Sequence, residues 1–253
     1  MINSLKNIAV KHFPVGSRKI YHTLNIFFYK GEEYYCPICE KSFKRFLPAG
    51  ENIFGNSKCP GCSSLERQRL LWLYLTRQLK IQNQKLRLLN IAPDFAIQSK
   101  LKSLNNIDYI SIDLESNLAM QKQDLTNLTF MENEFDAILC YHVLEHIVDD
   151  RKAMSELFRV LKPGGWAILQ TPIEKDREKT FEDFSIILPQ ERKKIFGQED
   201  HVRIYGQDYF KRLEQSGFIV IKDDFINNLN RTEKERLVLD KNEIIFFCTK
   251  QAN

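Results

Sequence analysis

The chain has 253 residues, enough for one large domain together with a small one. Hydrophobic residues make up 43% and charged residues 28%, as in an ordinary globular protein, and a net charge of +4 is only a weak indication of an acidic partner. No apolar run approaches the roughly 18 residues that a membrane span requires, so we expect a cytoplasmic protein without a transmembrane segment.

Residues 1–33 are predicted to form an N-terminal extension. Its fairly apolar part, Ile20 to Tyr29, is interrupted by His22, Thr23 and Asn25. Basic residues flank this part, but no small-residue cleavage site follows it. We therefore expect a packing extension rather than a signal peptide, with contact at a membrane surface as the alternative.

Residues 34–64 contain two cysteine pairs with 19 residues between them: Cys36, Cys39, Cys59 and Cys62. This C-x2-C…C-x2-C spacing predicts a tetrathiolate zinc site in a zinc-ribbon-like module. In each pair the backbone amides can point at the sulfurs, and Gly61 is expected to supply the conformational freedom of the second turn. Two disulfides or a redox pair are the alternatives. Four thiolates leave no open position on the metal, so we expect the zinc to be structural.

Residues 65–83 are predicted to be a connecting helix, Leu65 to Leu79, followed by a polar linker. Ser63 and Glu66 have the spacing of a capping box at the start of this helix. Five basic side chains in the zinc loop and the helix could form a basic face, or they could simply be exposed to solvent: Lys41, Lys44, Arg45, Arg67 and Arg69.

Residues 84–253 are predicted to form an α/β domain. Short apolar runs are typical of strands buried on both faces of a parallel sheet, and they recur here at Leu86 to Ile91, Tyr109 to Ile112, Ala137 to Cys140 and Trp166 to Leu169. Asp149 or Asp150 can cap the helix before the last of these strands, and Pro163, Gly164 and Gly165 are expected to end it. Its core-facing stripe comprises Ala153, Met154, Leu157, Phe158 and Leu161.

The stretch 135–171, from Phe-Asp-Ala-Ile-Leu-Cys-Tyr-His through Leu-Lys-Pro-Gly-Gly-Trp, resembles the second half of a class I S-adenosylmethionine-dependent methyltransferase. The loop Ile91 to Asp94, beside an N-terminal cysteine module, is similar to a methyltransferase type 11-like subgroup with an Ile-Ala-Pro-acid loop. The resemblance implies a Rossmann-like, doubly wound, mostly parallel seven-stranded sheet whose last strand is antiparallel.

The resemblance also implies which residues bind the cofactor, S-adenosyl-L-methionine. Asp113 ends a strand about 20 residues after the first loop, and its carboxylate can accept hydrogen bonds from both ribose hydroxyls. Asp124 and the Leu125 amide would meet adenine, although Asp124 could instead cap a turn. The complete implied set is Asn90, Ile91, Ala92, Pro93, Asp94, Asp113, Leu114, Asp124, Leu125, Cys140, Tyr141 and His142.

The first loop departs from the family pattern. Alanine or aspartate stands at the usual glycine positions, and Asn90 stands where an acid is usual. Ala92 and Ala96 are still small enough for close approach to the cofactor. We interpret the loop as a variant binding loop rather than a lost one.

The string from His142 to His146 also matches H-x-x-E-H, a metallopeptidase pattern. That function would require both histidines on one helix face and a further acidic ligand. Related methyltransferases carry Leu-Glu-His here, which is expected to order the loop, with a metal in the pocket as the alternative.

Residues 172–206 are a long charged insertion, and loops of this length tend to be functional or disordered. The resemblance to the methyltransferases implies that this insertion covers the substrate. His201, Arg203 and Tyr205 group a possible base, a cation and a phenol. The predicted reaction is in-line methyl transfer to an oxygen or nitrogen nucleophile, with His201 or His142 as the catalytic base. The acceptor could be a small molecule, a sugar-pathway intermediate or RNA. Two alternative functions stay open. One is a methyltransferase-like binding protein that has lost catalysis, and the other is a zinc-ribbon-guided RNA methyltransferase or RNA-binding protein.

Overall fold

The computed structural model describes residues 15–49, 54–240 and 243–252. Short 3-10 or π-helical turns lie at Tyr74–Gln78, Ile81–Asn83, Leu144–His146 and Phe225–Asn228. In chain order the helices and strands are α1 (Val15–Phe28), β1 (Lys30–Cys36), β2 (Lys41–Phe43), β3 (Leu47–Ala49), β4 (Phe54–Lys58), α2 (Glu66–Leu73), β5 (Leu86–Ile91), α3 (Phe95–Lys102), β6 (Ile107–Asp113), β7 (Gln121–Lys122), β8 (Phe135–Tyr141), α4 (Asp150–Val160), β9 (Leu161–Gln170), β10 (Phe181–Glu182), α5 (Pro189–Phe196), β11 (Arg203–Ile204), α6 (Tyr209–Gln215), β12 (Ile219–Asp223), α7 (Arg231–Leu237) and β13 (Ile245–Thr249).

The chain forms two compact units that interleave along the sequence. The first contains residues up to 80, 95–100 and 226–243, and the second contains residues 81–94, 101–225 and 244 onward. The predicted domain boundary between residues 83 and 84 stays a prediction.

The first unit consists of two small antiparallel sheets and helices. β1 pairs with β2, and β3 pairs with β4. Phe43, Phe46 and Leu70 are buried in its core. Arg69 on α2 is fully buried: it donates to the Leu237 and Val238 carbonyls at 2.8 and 2.7 Å and stacks over Phe46.

Two sequence expectations for the first unit are wrong. Arg69 cannot belong to a basic face, since it is buried and hydrogen-bonded. Helix α2 begins at Glu66 with Leu65 as its N-cap, and Gln68, not Ser63, satisfies the Leu65 amide.

The second unit has at its centre a seven-stranded sheet with the order β12-β13-β9-β8-β5-β6-β7. The pairs among β9, β8, β5, β6 and β7 are parallel, whereas β13 is antiparallel to both of its neighbours. The predicted α/β class, strand number and antiparallel last strand are confirmed.

Helix α4 shows why the βαβ unit folds as predicted. The Asp149 carboxylate accepts from the Lys152 amide at 3.0 Å and so caps the helix. Ala153, Met154 and Leu157 are fully buried against the sheet. The helix ends at Val160, earlier than expected, because Leu161 already pairs with β8. Gly164 then takes a left-handed conformation in the turn within β9.

None of the helices in the described ranges has the length and apolar character that crossing a bilayer requires.

Candidate functional site

Sheet register brings the ends of three neighbouring strands together in the second unit. Ile91 on β5 lies opposite Ile112 on β6 and opposite Cys140 on β8. Because these strands are parallel, the next residues are neighbours at the carboxyl edge of the sheet: Ala92, Asp113 and Tyr141. Ligands of open α/β sheets bind at this edge.

Ala92 has a φ of +47°, in the left-handed region that favours glycine. Its amide donates to the Ile112 carbonyl at 2.8 Å, which holds the turn against β6. The loop therefore keeps the backbone shape that a glycine would adopt, although the residue is alanine.

Asn90 is buried, and its amide nitrogen donates to the Tyr109 hydroxyl at 3.0 Å. Burial raises the pKa of Tyr109 to about 12, so the phenol stays neutral. Within the site, Asn90 thus supports β6 through Tyr109. Its predicted contact with the cofactor stays a prediction.

The Asp113 carboxylate is fixed by the backbone that follows it. Oδ1 accepts from the amides of Glu115 and Ser116 at 2.8 and 2.7 Å. Within the described residues Oδ2 has no hydrogen-bond partner, so it is available to a ligand. The neighbouring Leu114 is 63% exposed, which leaves an apolar surface beside the carboxylate.

Asp124 and Leu125 lie just after β7. Asp124 Oδ1 accepts from the amide and the hydroxyl of Thr126 at 2.8 and 2.9 Å, which is the turn-capping role considered above as the alternative. The Leu125 side chain is buried, and its amide has no acceptor in the described part of the chain. Oδ1 is therefore engaged by the turn, while the Leu125 amide is available to a ligand.

His142 follows β8 with a φ of +58°. Its Nδ1 lies 3.4 Å from Glu145 Oε1, and its Nε2 is buried without a hydrogen-bond partner in the described ranges. Cys140, one strand position before Tyr141, is fully buried, and burial raises the pKa of its thiol. Because His142 precedes a short 3-10 turn rather than sharing an α-helix with His146, the metallopeptidase arrangement is absent from this loop.

Glu145, His146 and His201 form a compact group. One potential ligand atom from each lies within 4.8 Å of those of the other two, and the two imidazole rings meet edge to face at 4.7 Å. Burial by itself raises the pKa of Glu145, but the adjacent His142 and His146 outweigh it and leave this pKa below its ordinary value. Burial, reinforced by His146, lowers the pKa of His201.

The motif from His201 to Tyr205 packs directly on the loop 142–148. The Arg203 guanidinium donates to the carbonyls of Leu144 and Val148 at 2.9 and 2.8 Å and also to that of Ile147. The motifs at 142–146 and 201–205, which the sequence analysis considered separately, therefore form one structural cluster. The catalytic roles predicted for His142 and His201 stay predictions.

A buried ion network supports this cluster. Asp150 Oδ2 accepts from the Tyr205 hydroxyl at 2.7 Å and from Arg212 at 3.0 Å, and Glu182 bonds both Arg203 and Arg212. The sequence treated Asp150 only as a possible helix cap. Asp150 is buried beside the Tyr205 phenol and two arginines, Arg203 and Arg212, that are more than 50 positions away in the chain. No local sequence pattern could predict these contacts.

The four cysteine sulfurs of the first unit form a second candidate centre. Cys36 and Cys62 sulfurs are 3.6 Å apart, and those of Cys39 and Cys59 are 3.7 Å apart. All four cysteines are free, and both separations are far longer than an S–S bond of about 2.05 Å. They agree with the edge of roughly 3.8 Å in a tetrahedral tetrathiolate zinc site with Zn–S of about 2.3 Å.

Both cysteine turns have the same backbone design. The amide of Glu40 donates to the Cys36 carbonyl at 2.8 Å, and that of Ser63 donates to the Cys59 carbonyl at 2.9 Å. Glu40 and Ser63 have φ values of +56° and +61°. The left-handed residue thus follows each pair, and is not Gly61 as expected.

Gly61 is needed for close packing instead. A Cβ there would lie 2.9 Å from the Phe43 ring and 3.1 Å from the Cys39 sulfur. The Gly61 amide lies 3.3 Å from the Cys59 sulfur, so an amide points at a sulfur as predicted.

The middle of the chain is similar to known proteins. Residues 75–169 match the family described as "Methyltransferase domain". A demethylmenaquinone methyltransferase of Bacteroides fragilis is 29% identical over 105 residues, which cover 40% of this chain and 43% of that protein. A demethylmenaquinone methyltransferase of Staphylococcus saprophyticus is 32% identical over 108 residues, or 40% and 42% of the two chains. The chain thus spans less than half the length of these curated relatives.

Among solved structures, the [4+2]-cyclase SpnF superposes with a TM-score of 0.50 and 16% identity, over 75% of this chain and 83% of that one. At this identity the likeness establishes the α/β fold alone.

Proposed function

Since the chain carries a class I S-adenosylmethionine-dependent methyltransferase domain, we propose that it transfers the methyl group of S-adenosyl-L-methionine to an oxygen or nitrogen atom of an acceptor. One observation carries the proposal. The register of β5, β6 and β8 places Ala92, Asp113 and Tyr141 side by side at the carboxyl edge of the sheet.

Asp113 binds the ribose of the cofactor in this proposal. Two backbone amides hold Oδ1, so the carboxylate has one orientation before the ligand arrives. Its partnerless Oδ2 has two acceptor sites of its own, and these can accept the two vicinal ribose hydroxyls.

The adenine lies against Leu114 and receives a hydrogen bond from the Leu125 amide. The exposed Leu114 side chain gives the ring an apolar surface, and the amide has no other acceptor among the described residues. Asp124 is already engaged in its turn through Oδ1, so Oδ2 is the oxygen that would accept the adenine amine.

His142 positions the acceptor. Glu145 holds its Nδ1, and its buried Nε2 can accept a hydrogen bond from a hydroxyl or amine of the acceptor. A sulfonium methyl group is already strongly electrophilic, so alignment of the nucleophile at about 3 Å is the main requirement for transfer.

The cysteine cluster binds a structural zinc ion in this proposal. Its sulfur separations suit a tetrahedral site, and four thiolates would fill the coordination sphere. The metal then stabilises the first unit and takes no part in methyl transfer.

One observation favours a second function, a cofactor-binding protein without methyl transfer. The glycine-poor loop keeps Ala92 in a conformation that is unfavourable for alanine. A protein named as a cyclase also has this fold, and a fold does not by itself establish the chemistry.

Transfer of label distinguishes the two functions. Purified protein and S-adenosylmethionine with a tritiated methyl group are incubated with cell extract, which is then separated into small-molecule, protein and RNA fractions. Methyl transfer predicts protein-dependent label in one fraction, which also identifies the acceptor class. Cofactor binding without label in any fraction supports the second function.

A further inference from the structure

The Leu-Glu-His turn and the insertion bring together three side chains that can bind a metal ion. Glu145 and His146 lie in the turn at Leu144–His146, and His201 follows α5. Glu145 is 2% exposed and His201 8%, so two of the three are removed from bulk water. Two imidazoles and a carboxylate are a ligand set that suits zinc and other first-row divalent ions.

Hydrogen bonds orient both imidazoles for ligation. His201 Nδ1 lies 3.3 Å from the Phe196 carbonyl, and His146 Nδ1 lies 3.3 Å from the Asp200 carboxylate. In each ring the proton therefore belongs on Nδ1, which leaves Nε2 as a lone-pair donor. Metal-bound histidines commonly have this partner on the second nitrogen.

The carboxylate is oriented in the same way. Glu145 Oε2 accepts from the Thr171 hydroxyl at 2.9 Å, and Oε1 lies near His142 Nδ1. Every member of the group thus has a neighbour that fixes its geometry.

The spacing of the group suits a metal ion. One potential ligand atom of each residue lies within 4.8 Å of those of the other two. A tetrahedral ion with bonds of about 2.1 Å would bring them to roughly 3.4 Å, which side-chain rotations of about an ångström can supply.

We propose that Glu145, His146 and His201 bind a divalent transition-metal ion, separate from the cysteine site. Three protein ligands leave at least one coordination position open. Under the proposed function, which this step requires, the open position takes an oxygen or nitrogen atom of the methyl acceptor beside His142. The acceptor would then be a molecule with a metal-binding hydroxyl, carboxylate or amine group.

Metal uptake tests the proposal without cofactor or acceptor. Protein that metal analysis shows to hold one zinc ion per chain is dialysed against metal-free buffer and titrated with Co2+, and binding is followed by absorption and by metal analysis. We expect one further Co2+ per chain, with visible d–d bands but no added thiolate charge-transfer band.

Four variants locate the ion. Glu145→Gln and His201→Asn should abolish uptake at micromolar Co2+, and Thr171→Val should weaken it about 10-fold or more through the oriented carboxylate. Glu178→Gln changes an exposed carboxylate in the same insertion and should bind as wild type does. Circular dichroism checks that each variant is folded.

The proposal is overturned if folded wild-type protein takes up no second ion, or if Glu145→Gln binds Co2+ as tightly as wild type. Cofactor binding is measured separately. S-adenosylmethionine binding without metal uptake contradicts this proposal alone, whereas metal uptake without cofactor binding contradicts the methyltransferase proposal alone.

Discussion

Replacing Arg203 with methionine should destabilise the second unit strongly. The guanidinium is fully buried, donates to three backbone carbonyls of the loop 144–148 and pairs with Glu182 at 2.9 Å. Methionine keeps most of the apolar stem but leaves those carbonyls without their donor. Removing one partner from a buried ionic network costs about 3–5 kcal/mol.

A loss of this size is measurable. For a domain of 150–250 residues, about 3–5 kcal/mol corresponds to a fall in Tm of roughly 6–20 °C. Urea unfolding followed by circular dichroism gives the free energy, and hydrogen exchange reports the loop 144–148 directly. Exchange in this loop should accelerate more than exchange in β5.

Arg177→Met is the matched control. Arg177 lies in the same insertion, but its side chain is 36% exposed and its ion-pair partner is the nearby Glu174. An exposed pair contributes about 1 kcal/mol or less, so its Tm should hardly change. If Arg203→Met costs no more than this control, or leaves exchange in the loop unchanged, the reasoning about the buried cluster is wrong.

Four further outcomes are expected. Asp113→Asn keeps an oxygen for the two backbone amides but loses the charge that faces the ribose. The affinity for S-adenosylmethionine, measured by calorimetry, should therefore fall about 10- to 100-fold. Unchanged affinity would show that Asp113 does not bind the ribose. Ala92→Gly should raise the stability by roughly 0.5 kcal/mol, because relief of the left-handed alanine slightly exceeds the entropy cost of glycine, and a lower Tm would refute the strain. Cys36→Ser should lower the zinc content by one ion per chain and should speed up amide hydrogen exchange in α2 and α7. Unchanged zinc content would show that the four thiolates do not bind the ion. Burial raises the pKa of Glu182, but its hydrogen bonds to two arginines outweigh burial and leave this pKa below the ordinary 4.5. The stability that the Glu182 carboxylate contributes is therefore complete above pH 4.5 and is lost as the pH falls through the lowered pKa. In urea unfolding at several pH values, Glu182→Gln should reduce the loss of stability at acid pH.

Much of the second unit could be predicted from local sequence. Strands buried on both faces are continuous apolar runs, so β5, β6, β8 and β9 were recognisable, and β5 has the predicted bounds. Once parallel pairing is expected, the strand ends identify the edge at which Ala92 and Asp113 meet.

The features that could not be predicted depend on contacts between distant residues. Arg69 is buried by carbonyls 168 and 169 positions away, so no local pattern distinguishes it from a surface arginine. Arg203 reaches the Leu144 carbonyl across 59 positions. The left-handed φ of Ala92 could not be predicted either. A glycine at this position would have indicated the turn, whereas an alanine does not.

Calorimetric titration of the folded protein with S-adenosylmethionine tests the central claim most directly. A cofactor site at the carboxyl edge of the sheet predicts one molecule bound per chain, with a Kd between about 1 µM and 1 mM, the usual range of enzyme KM values. Absence of binding heat at several temperatures, up to millimolar cofactor and with circular dichroism showing a folded chain, would contradict it.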